Sequence, residues 1–414
     1  MQPLTIRYGK LPAEFIPHFE TPPHAVKAAA GAVGFYAADV QVANGCIDSI
    51  LPTAPPAQNE LNAQGCYVLP GFVDIHVHGA MGRDVMDADP QGLLEMARFF
   101  ARHGVTAFMP TTMTAAPAET LAAVVGVSQA IARQQAQKTA AARGARILGI
   151  HLEGPYISPQ FPGAQLADQI RPPDLREFET LCAAGPVRMI TLAPEQPGAA
   201  ALIEAAHRQG VTAVYGHTAA TYEECQAAID LGVQQATHTY NAMTGLHHRH
   251  PGALGATLSD ERVYAQLIAD TIHVHPAAMN ILARCKGAAH TVLITDAMRA
   301  AGLPDGPYSL GGQDVFVQEG ECRLADGTLA GSVLTMARAL ANFLAASNQP
   351  LVEIWPAASR TPAMSVRMAH EIGSIMPGYR ADFVLLAEET LDVVATIVGG
   401  ELAYLHDTAR WQSA

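Results

Sequence analysis

Eight short apolar runs recur between residues 71 and 298, and stretches of helix-forming residues separate most of them. The runs are "GFVDIHVH", "VTAFMPTT", "RILGIHLEG", "VRMITLAPE", "VTAVYGHT", "VQQATHTY", "VYAQLIADTIH" and "HTVLITDAM". Between them lie Ala-rich amphipathic segments such as "PQGLLEMARFFARHG", "AETLAAVVGVSQAIARQQAQ" and "TYEECQAAIDLG", several stopped by Gly as helices commonly are. Strands that alternate with helices build a parallel sheet, because parallel neighbours need a long crossover connection. Eight strand–helix units suit a closed α/β fold, a (β/α)₈ TIM-type barrel. An open doubly wound sheet is the competitor, but no G-x-G-x-x-G follows the first run to support it.

Most of the runs end in a polar residue that is rare in cores. His76 and His78 close the first run, Glu153 the third, His217 the fifth and His238 the sixth; His273 follows the seventh and Asp296 ends the eighth. In a barrel, functional side chains cluster at the C-terminal ends of the strands, which is where these residues fall. Strand side chains alternate faces, so Asp74, His76 and His78 share one face while Val73, Ile75 and Val77 share the other. Two imidazoles are thereby aimed at one spot.

The flanks read differently. Residues around 33–70, with "VGFYAADVQVANGCIDSILP", and the tail "GSIMPGYRADFVLLAEETLDVVATIVGGELAYL" carry short alternating strands and Gly turns. Both fit one small β-sandwich-like domain made from the two ends of the chain. The expected organisation is residues 1–68 and 373–414 in that domain and 69–372 in the barrel. Residues 1–30 give no clear reading. "GPYSLGGQDVFVQEGECRLADGTLAGS", after the eighth run, reads as an inserted hairpin facing a ligand.

Composition excludes several classes of function. The chain of 414 residues has a formal net charge of −13, which opposes a sequence-independent grip on nucleic acid. Its six cysteines have no C-x-x-C spacing, so neither a disulfide framework nor a thiolate zinc site is expected, and a reducing cytoplasm fits. No apolar run reaches the roughly 18 residues a membrane span needs, and no basic flank with a long apolar stretch opens the chain. A soluble, unexported protein with no membrane partner is the expectation.

His76, His78, Glu153, His217 and His238 arrive from four strand ends, and an N/O ligand set of this kind suits a divalent metal, Zn²⁺ first and Fe²⁺ second. In one reading Glu153, His217 and His238 hold one ion with an open position for water, while His76 and His78 hold a second that Glu153 bridges. In the other, a single ion binds and the histidine pair shapes the pocket. Water on such an ion becomes a nucleophile near neutral pH, and amide hydrolysis then needs a proton acceptor and donor. Asp296 can serve as both; its competing role is a helix N-cap. His273 can hydrogen-bond a substrate carbonyl, with a plain core histidine as the rival.

At these residues the chain resembles the amidohydrolase superfamily and, within it, the N-acetylglucosamine-6-phosphate deacetylase family. The carrying segments are "PGFVDIHVHG", "GIHLEGPYISP", "GHTAATYEE", "ATHTYNAMTGLHHRHPG", "ADTIHVHP", "TDAM", "RLADGTLAGS" and "GSIMPGYRADFVLL". The resemblance implies metal-dependent removal of the acetyl group of N-acetylglucosamine 6-phosphate, giving glucosamine 6-phosphate and acetate. It implies that Glu153, His217 and His238 are the main metal ligands and that His76 and His78 are the pair found in two-metal members. Asp296 matches the catalytic carboxylate and His273 the histidine that contacts the acetyl carbonyl. Asn241, the Ala242 backbone and Arg249 match phosphate and sugar contacts, with Arg249 reaching the neighbouring subunit of a homodimer. A guanidinium fork suits a phosphate, and His247, His248 and His250 can add donors.

Three positions depart from the family pattern. Gln165 stands where a sugar-contacting histidine is usual, Thr271 where glycine is usual, and His250 where an acidic residue is common. All three touch substrate recognition rather than the metal. They leave open N-acetylgalactosamine 6-phosphate or an unphosphorylated N-acyl amino sugar as the substrate; Gln165 can still donate and accept hydrogen bonds.

Overall fold

The computed structural model describes residues 3–16, 34–57, 59–406 and 410–413; residues 17–33, which overlap the unread N-terminal stretch, lie outside them. The eight runs form the strands of one barrel: β1 (Phe72–Val77), β2 (Val105–Thr112), β3 (Ile150–Glu153), β4 (Val187–Leu192), β5 (Thr212–Tyr215), β6 (Gln235–Ala236), β7 (Tyr264–Ile268) and β8 (Thr291–Ile294). Every neighbouring pair from β1 to β8 is parallel. The ring closes where the Asp296 N–H donates to the His76 carbonyl at 3.0 Å and Val77 bridges Ala297. Almost all the strand residues are buried, which is why the runs read as continuous apolar stretches instead of alternating ones.

The helices between strands start where the sequence offers caps. Helix Pro90–Arg102 has proline in its first turn and Asp89 accepting from the Gln91 N–H, and it buries Leu93, Leu94, Met96, Ala97, Phe99 and Phe100. Helix Tyr222–Asp230 opens with a reciprocal capping box between Thr221 and Glu224. Among the described residues no helix is long and apolar enough to cross a membrane.

Among the described residues the β domain is a nine-stranded sheet drawn from both ends of the chain. Its central strand Cys66–Pro70 pairs antiparallel with Phe383–Ala387 and parallel with Leu4–Pro12. Arg146 leads into the barrel and meets Asp382 of this domain through two hydrogen bonds of 2.8 and 3.3 Å, while Asp382 also accepts from the Gly399 N–H. On the far side Phe15 packs on the fully buried Trp355 with ring centroids 5.4 Å apart, and the Arg360 guanidinium lies 4.7 Å above the Trp355 ring. Aromatic packing and a cation over the indole face fasten the two parts here.

The insertion after β8 is a three-stranded antiparallel meander, Gly306–Leu310, Gln313–Gln318 and Glu321–Arg323. Its inward residues Leu310, Val315, Val317 and Cys322 form a second small core with Met113, Ala164 and Met298. That core seats the meander over the C-terminal mouth of the barrel.

Candidate active site

At that mouth the barrel opens into a cavity of about 330 Å³, lined at its floor by His78, Glu153, His217, His238 and Asp296. Glu153, the last residue of β3, is central. Its Oε1 lies 3.1 Å from His238 Nε2, 3.3 Å from His217 Nε2 and 3.5 Å from His76 Nε2, and its Oε2 lies 3.2 Å from His78 Nε2. Two overlapping clusters result, His76–His78–Glu153 and Glu153–His217–His238, each close enough to share one metal ion. Three of the converging residues lie just beyond their strands with left-handed backbone, His217 at φ +46°, His238 at +25° and Asp296 at +50°. Non-glycine residues rarely adopt this conformation, and such strain concentrates at functional sites.

The chemistry of the donors tests whether a cation belongs here. His78 Nδ1 lies 3.1 Å from the Thr111 carbonyl and His217 Nδ1 lies 2.9 Å from the Phe161 carbonyl. A carbonyl only accepts, so both rings carry their proton on Nδ1 and, when neutral, turn a bare Nε2 lone pair inward. His76 Nε2 lies 3.3 Å from His78 Nε2, and His217 Nε2 lies 3.0 Å from His238 Nε2. Inward lone pairs around a buried carboxylate repel one another unless a cation sits among them, and the outer hydrogen bonds are those of metal-ligating imidazoles. The residues present therefore fit a divalent metal.

Electrostatics keep the carboxylates ionised. Burial pushes the Glu153 carboxyl up, but positive charge at His76 and hydrogen bonds from His217, His238 and His76 outweigh burial and hold it well below the ordinary range; a cation held on bare Nε2 atoms would supply the same positive charge in place of a ring proton. Asp296 is likewise raised by burial and lowered further by His76 and His78, so it stands below its usual value. Its Oδ1 sits 3.1 Å from His78 Nε2. Ala297 continues as a bridge to Val77 and residues 299–302 form turns, so Asp296 caps no helix. Deeper in the barrel, burial pushes the Asp74 carboxyl up to about 6, although Thr295 donates to it.

The remaining candidates divide. His273 lines the cavity, and Asp270 Oδ2 lies 2.6 Å from its Nδ1. Asp270 Oδ1 also accepts the backbone N–H groups of Ile272 and His273 at 2.8 Å, which holds Thr271 at φ +70°. Asn241 and Ala242 line the cavity wall. Gln165 lines it too, but its Nε2 donates to Glu153 Oε2 at 2.9 Å and its Oε1 accepts from the Thr114 N–H at 2.7 Å. Both ends of its amide are thus engaged with the carboxylate and its neighbours. Arg249 stands apart from the cavity, exposed on the tight 247–250 turn with its guanidinium 2.6 Å from His248 Nε2. Gly163, at φ +55°, lets the 158–166 loop lie against the His217 ring; a Cβ there would sit 3.0 Å from Cε1.

Sequence reasoning missed Asp270, although "ADTIH" places it three residues before His273. It also missed the Thr111 and Phe161 carbonyls, because a main-chain acceptor leaves no mark on residue identity.

Comparison with known proteins follows the same lines. A family model described as "Amidohydrolase family" matches residues 67–403. N-acetylgalactosamine-6-phosphate deacetylase of Escherichia coli O157:H7 is 40% identical over 366 residues, covering 88% of this chain and 94% of its own. N-acetylglucosamine-6-phosphate deacetylase of Vibrio furnissii is 40% identical over 349 residues, covering 84% and 85%. Among solved structures, a point mutant of N-acetyl-D-glucosamine-6-phosphate deacetylase from Mycobacterium smegmatis, in complex with N-acetyl-D-glucosamine-6-phosphate, superimposes with a TM-score of 0.84 at 32% identity, covering 97% of this chain and 99% of that one.

Proposed function

From the premise that this chain belongs to the amidohydrolase family, we propose that it hydrolyses the N-acetyl group of N-acetylglucosamine 6-phosphate, giving glucosamine 6-phosphate and acetate. The observation that carries this reading is the convergence of four imidazole nitrogens and one shared carboxylate at the floor of a cavity of about 330 Å³. Glu153, His217 and His238 would hold one divalent ion, with Zn²⁺ the first choice for three such ligands. His76 and His78 would hold a second, sharing Glu153. When bound, such an ion activates water and polarises the acetyl carbonyl.

The chain's own groups then manage protons and position. Asp296, ionised and facing the cavity floor, takes the proton of the attacking water and returns it to the departing sugar nitrogen. His273 donates from Nε2 to the acetyl oxygen as charge builds there while its Nδ1–H donates to Asp270, and a ring that donates from both nitrogens carries a positive charge that Asp270 balances. Asn241 and the Ala242 backbone contact the sugar phosphate from the cavity wall, and Gln165 steadies Glu153 in addition to facing the sugar. Arg249 is exposed, apart from its own cavity, and the resemblance has it binding phosphate; both support a homodimer in which each Arg249 serves the neighbouring subunit. Six unpaired cysteines support a cytoplasmic setting.

The galacto epimer is the second reading, favoured by the 40% identity to the E. coli N-acetylgalactosamine-6-phosphate deacetylase and by Gln165 in place of the usual histidine. The test is acetate release by zinc-loaded protein from N-acetylglucosamine 6-phosphate, its galacto epimer and unphosphorylated N-acetylglucosamine. Preference for the first is expected. Preference for the epimer moves the substrate and keeps the chemistry, while release from none of them refutes both readings.

A further inference from the structure

We propose that Gln235 and Gln266 form a two-amide relay that fixes the ring proton of His76 on Nδ1, so that His76 presents a bare Nε2 to the metal cluster. The inference rests on the metal-dependent reading above and adds two positioning residues to it.

The relay starts at the Ser365 carbonyl, which can only accept. Gln235 Nε2 donates to it at 2.9 Å, so the other end of that amide, Oε1, faces Gln266. Gln266 Nε2 donates to Gln235 Oε1 at 3.1 Å, and its second N–H faces Met189 Sδ at 3.8 Å. Turning the Gln266 amide over would set its oxygen against an oxygen and a sulfur. Gln266 Oε1 must therefore face His76 Nδ1, 3.1 Å away, and receive its proton. Each link has one allowed direction, and the direction is set by a main-chain carbonyl 130 residues from Gln235 in the chain.

Both glutamines are fully buried and both stand on barrel strands, Gln235 on β6 and Gln266 within β7, so sheet pairing sets their positions. Fully buried amides cost desolvation that apolar residues of similar size avoid, and here the donations run in one direction, from the His76 ring through Gln266 and Gln235 to the Ser365 carbonyl. The other three histidines differ. His78 and His217 donate to main-chain carbonyls, which substitution cannot remove, and His238 Nδ1 is buried with no partner among the described residues. His76 is thus the histidine of this cluster whose outer lock is a side chain. Without the lock its proton can move to Nε2, 3.5 Å from both Glu153 Oε1 and Asp296 Oδ1, and occupy the direction a cation needs.

The test compares wild type with Gln266→Met, which keeps length but loses the acceptor, and Gln266→Glu, which keeps an acceptor. Zinc content and affinity are measured by equilibrium dialysis and mass spectrometry, and the ring proton by ¹⁵N NMR of the metal-free protein labelled at histidine, at a pH high enough for the His76 ring to be neutral. Gln266→Met is expected to weaken zinc at the His76–His78 half about 10–100-fold, the usual loss for an outer-sphere partner, with the Glu153–His217–His238 half retained. Gln266→Glu, carrying its proton on the oxygen that faces Gln235 Oε1, should bind within a few-fold of wild type, and His76 should be protonated on Nδ1 in wild type and on Nε2 in Gln266→Met. Should Gln266→Met not fold, Gln235→Met breaks the relay one link back and should weaken the same half. Wild-type zinc affinity and stoichiometry in the folded Met variant, or an Nε2-protonated His76 in wild type, overturns the relay alone. A wild-type protein that binds no divalent ion overturns the metal reading itself.

Discussion

Asp270→Asn separates orienting His273 from balancing its charge. Asp270 accepts three hydrogen bonds, two from backbone N–H groups at 2.8 Å and one from His273 Nδ1 at 2.6 Å. Asparagine keeps an oxygen for the backbone bonds, so the turn survives, but it offers the ring an N–H donor in place of a carboxylate. His273 then keeps its proton on Nε2 and still donates to the acetyl oxygen, as a neutral group. A hydrogen bond from a charged donor is worth about 1.5–3 kcal/mol and a neutral one about 0.5–1.5. The difference, about 1–1.5 kcal/mol in the transition state, corresponds to roughly a tenfold loss in kcat. His273→Ala removes the donor altogether and should cost about 10²–10³-fold. Steady-state acetate release gives kcat and KM for both variants, with zinc content as the control. Equal losses in Asp270→Asn and His273→Ala, or no loss in Asp270→Asn, would refute the division of labour.

Asp296→Asn should retain zinc and lose about 10²–10⁴ in kcat, read by turnover together with metal analysis; near-full activity would remove the proton shuttle. Arg249→Ala should raise KM for the phosphorylated substrate about 10–100-fold while leaving an unphosphorylated one unaffected, and a uniform loss would argue against phosphate binding. Stability should fall in acid partly through Glu60, whose carboxyl the Arg7 guanidinium, 2.5 Å away, holds down at about 2 instead of 4.5. Because the folded value lies below the unfolded one, this contribution is present above pH 4.5 and is lost as pH falls toward 2. Urea midpoints of wild type and Glu60→Gln should therefore differ near pH 6 and converge near pH 2; a gap independent of pH would contradict the assignment.

The barrel was legible because parallel strands, buried on both faces, leave continuous apolar runs, and because period two put His76 and His78 on one face. Strand length was less legible: "VQQATHTY" contains a two-residue strand, Gln235–Ala236, and His238 lies past it on left-handed backbone. Side-chain parity does not extend through such a turn. The partners that orient the ligands were hardest to read. The Thr111 and Phe161 carbonyls have no residue signature, and Gln235 and Gln266 read as ordinary polar positions until the barrel sets them side by side. Gln165 lines the cavity, and its amide also bonds Glu153 and the Thr114 N–H, partners that its place in the sequence does not reveal.

The β domain draws its strands from both ends of the chain, and this bears on synthesis. Cys66–Pro70 pairs along one edge with Phe383–Ala387, which is made some 300 residues later. At roughly 5–20 residues per second, that edge waits about 15–60 s on the ribosome for its partner. Cys66, Val68, Leu69 and Pro70 of this strand are buried in the finished protein, so the waiting strand combines apolar side chains with unpaired backbone groups, the combination that invites pairing with other chains. The barrel can close before its companion domain exists, and the last strands to be made relieve the first of their exposure.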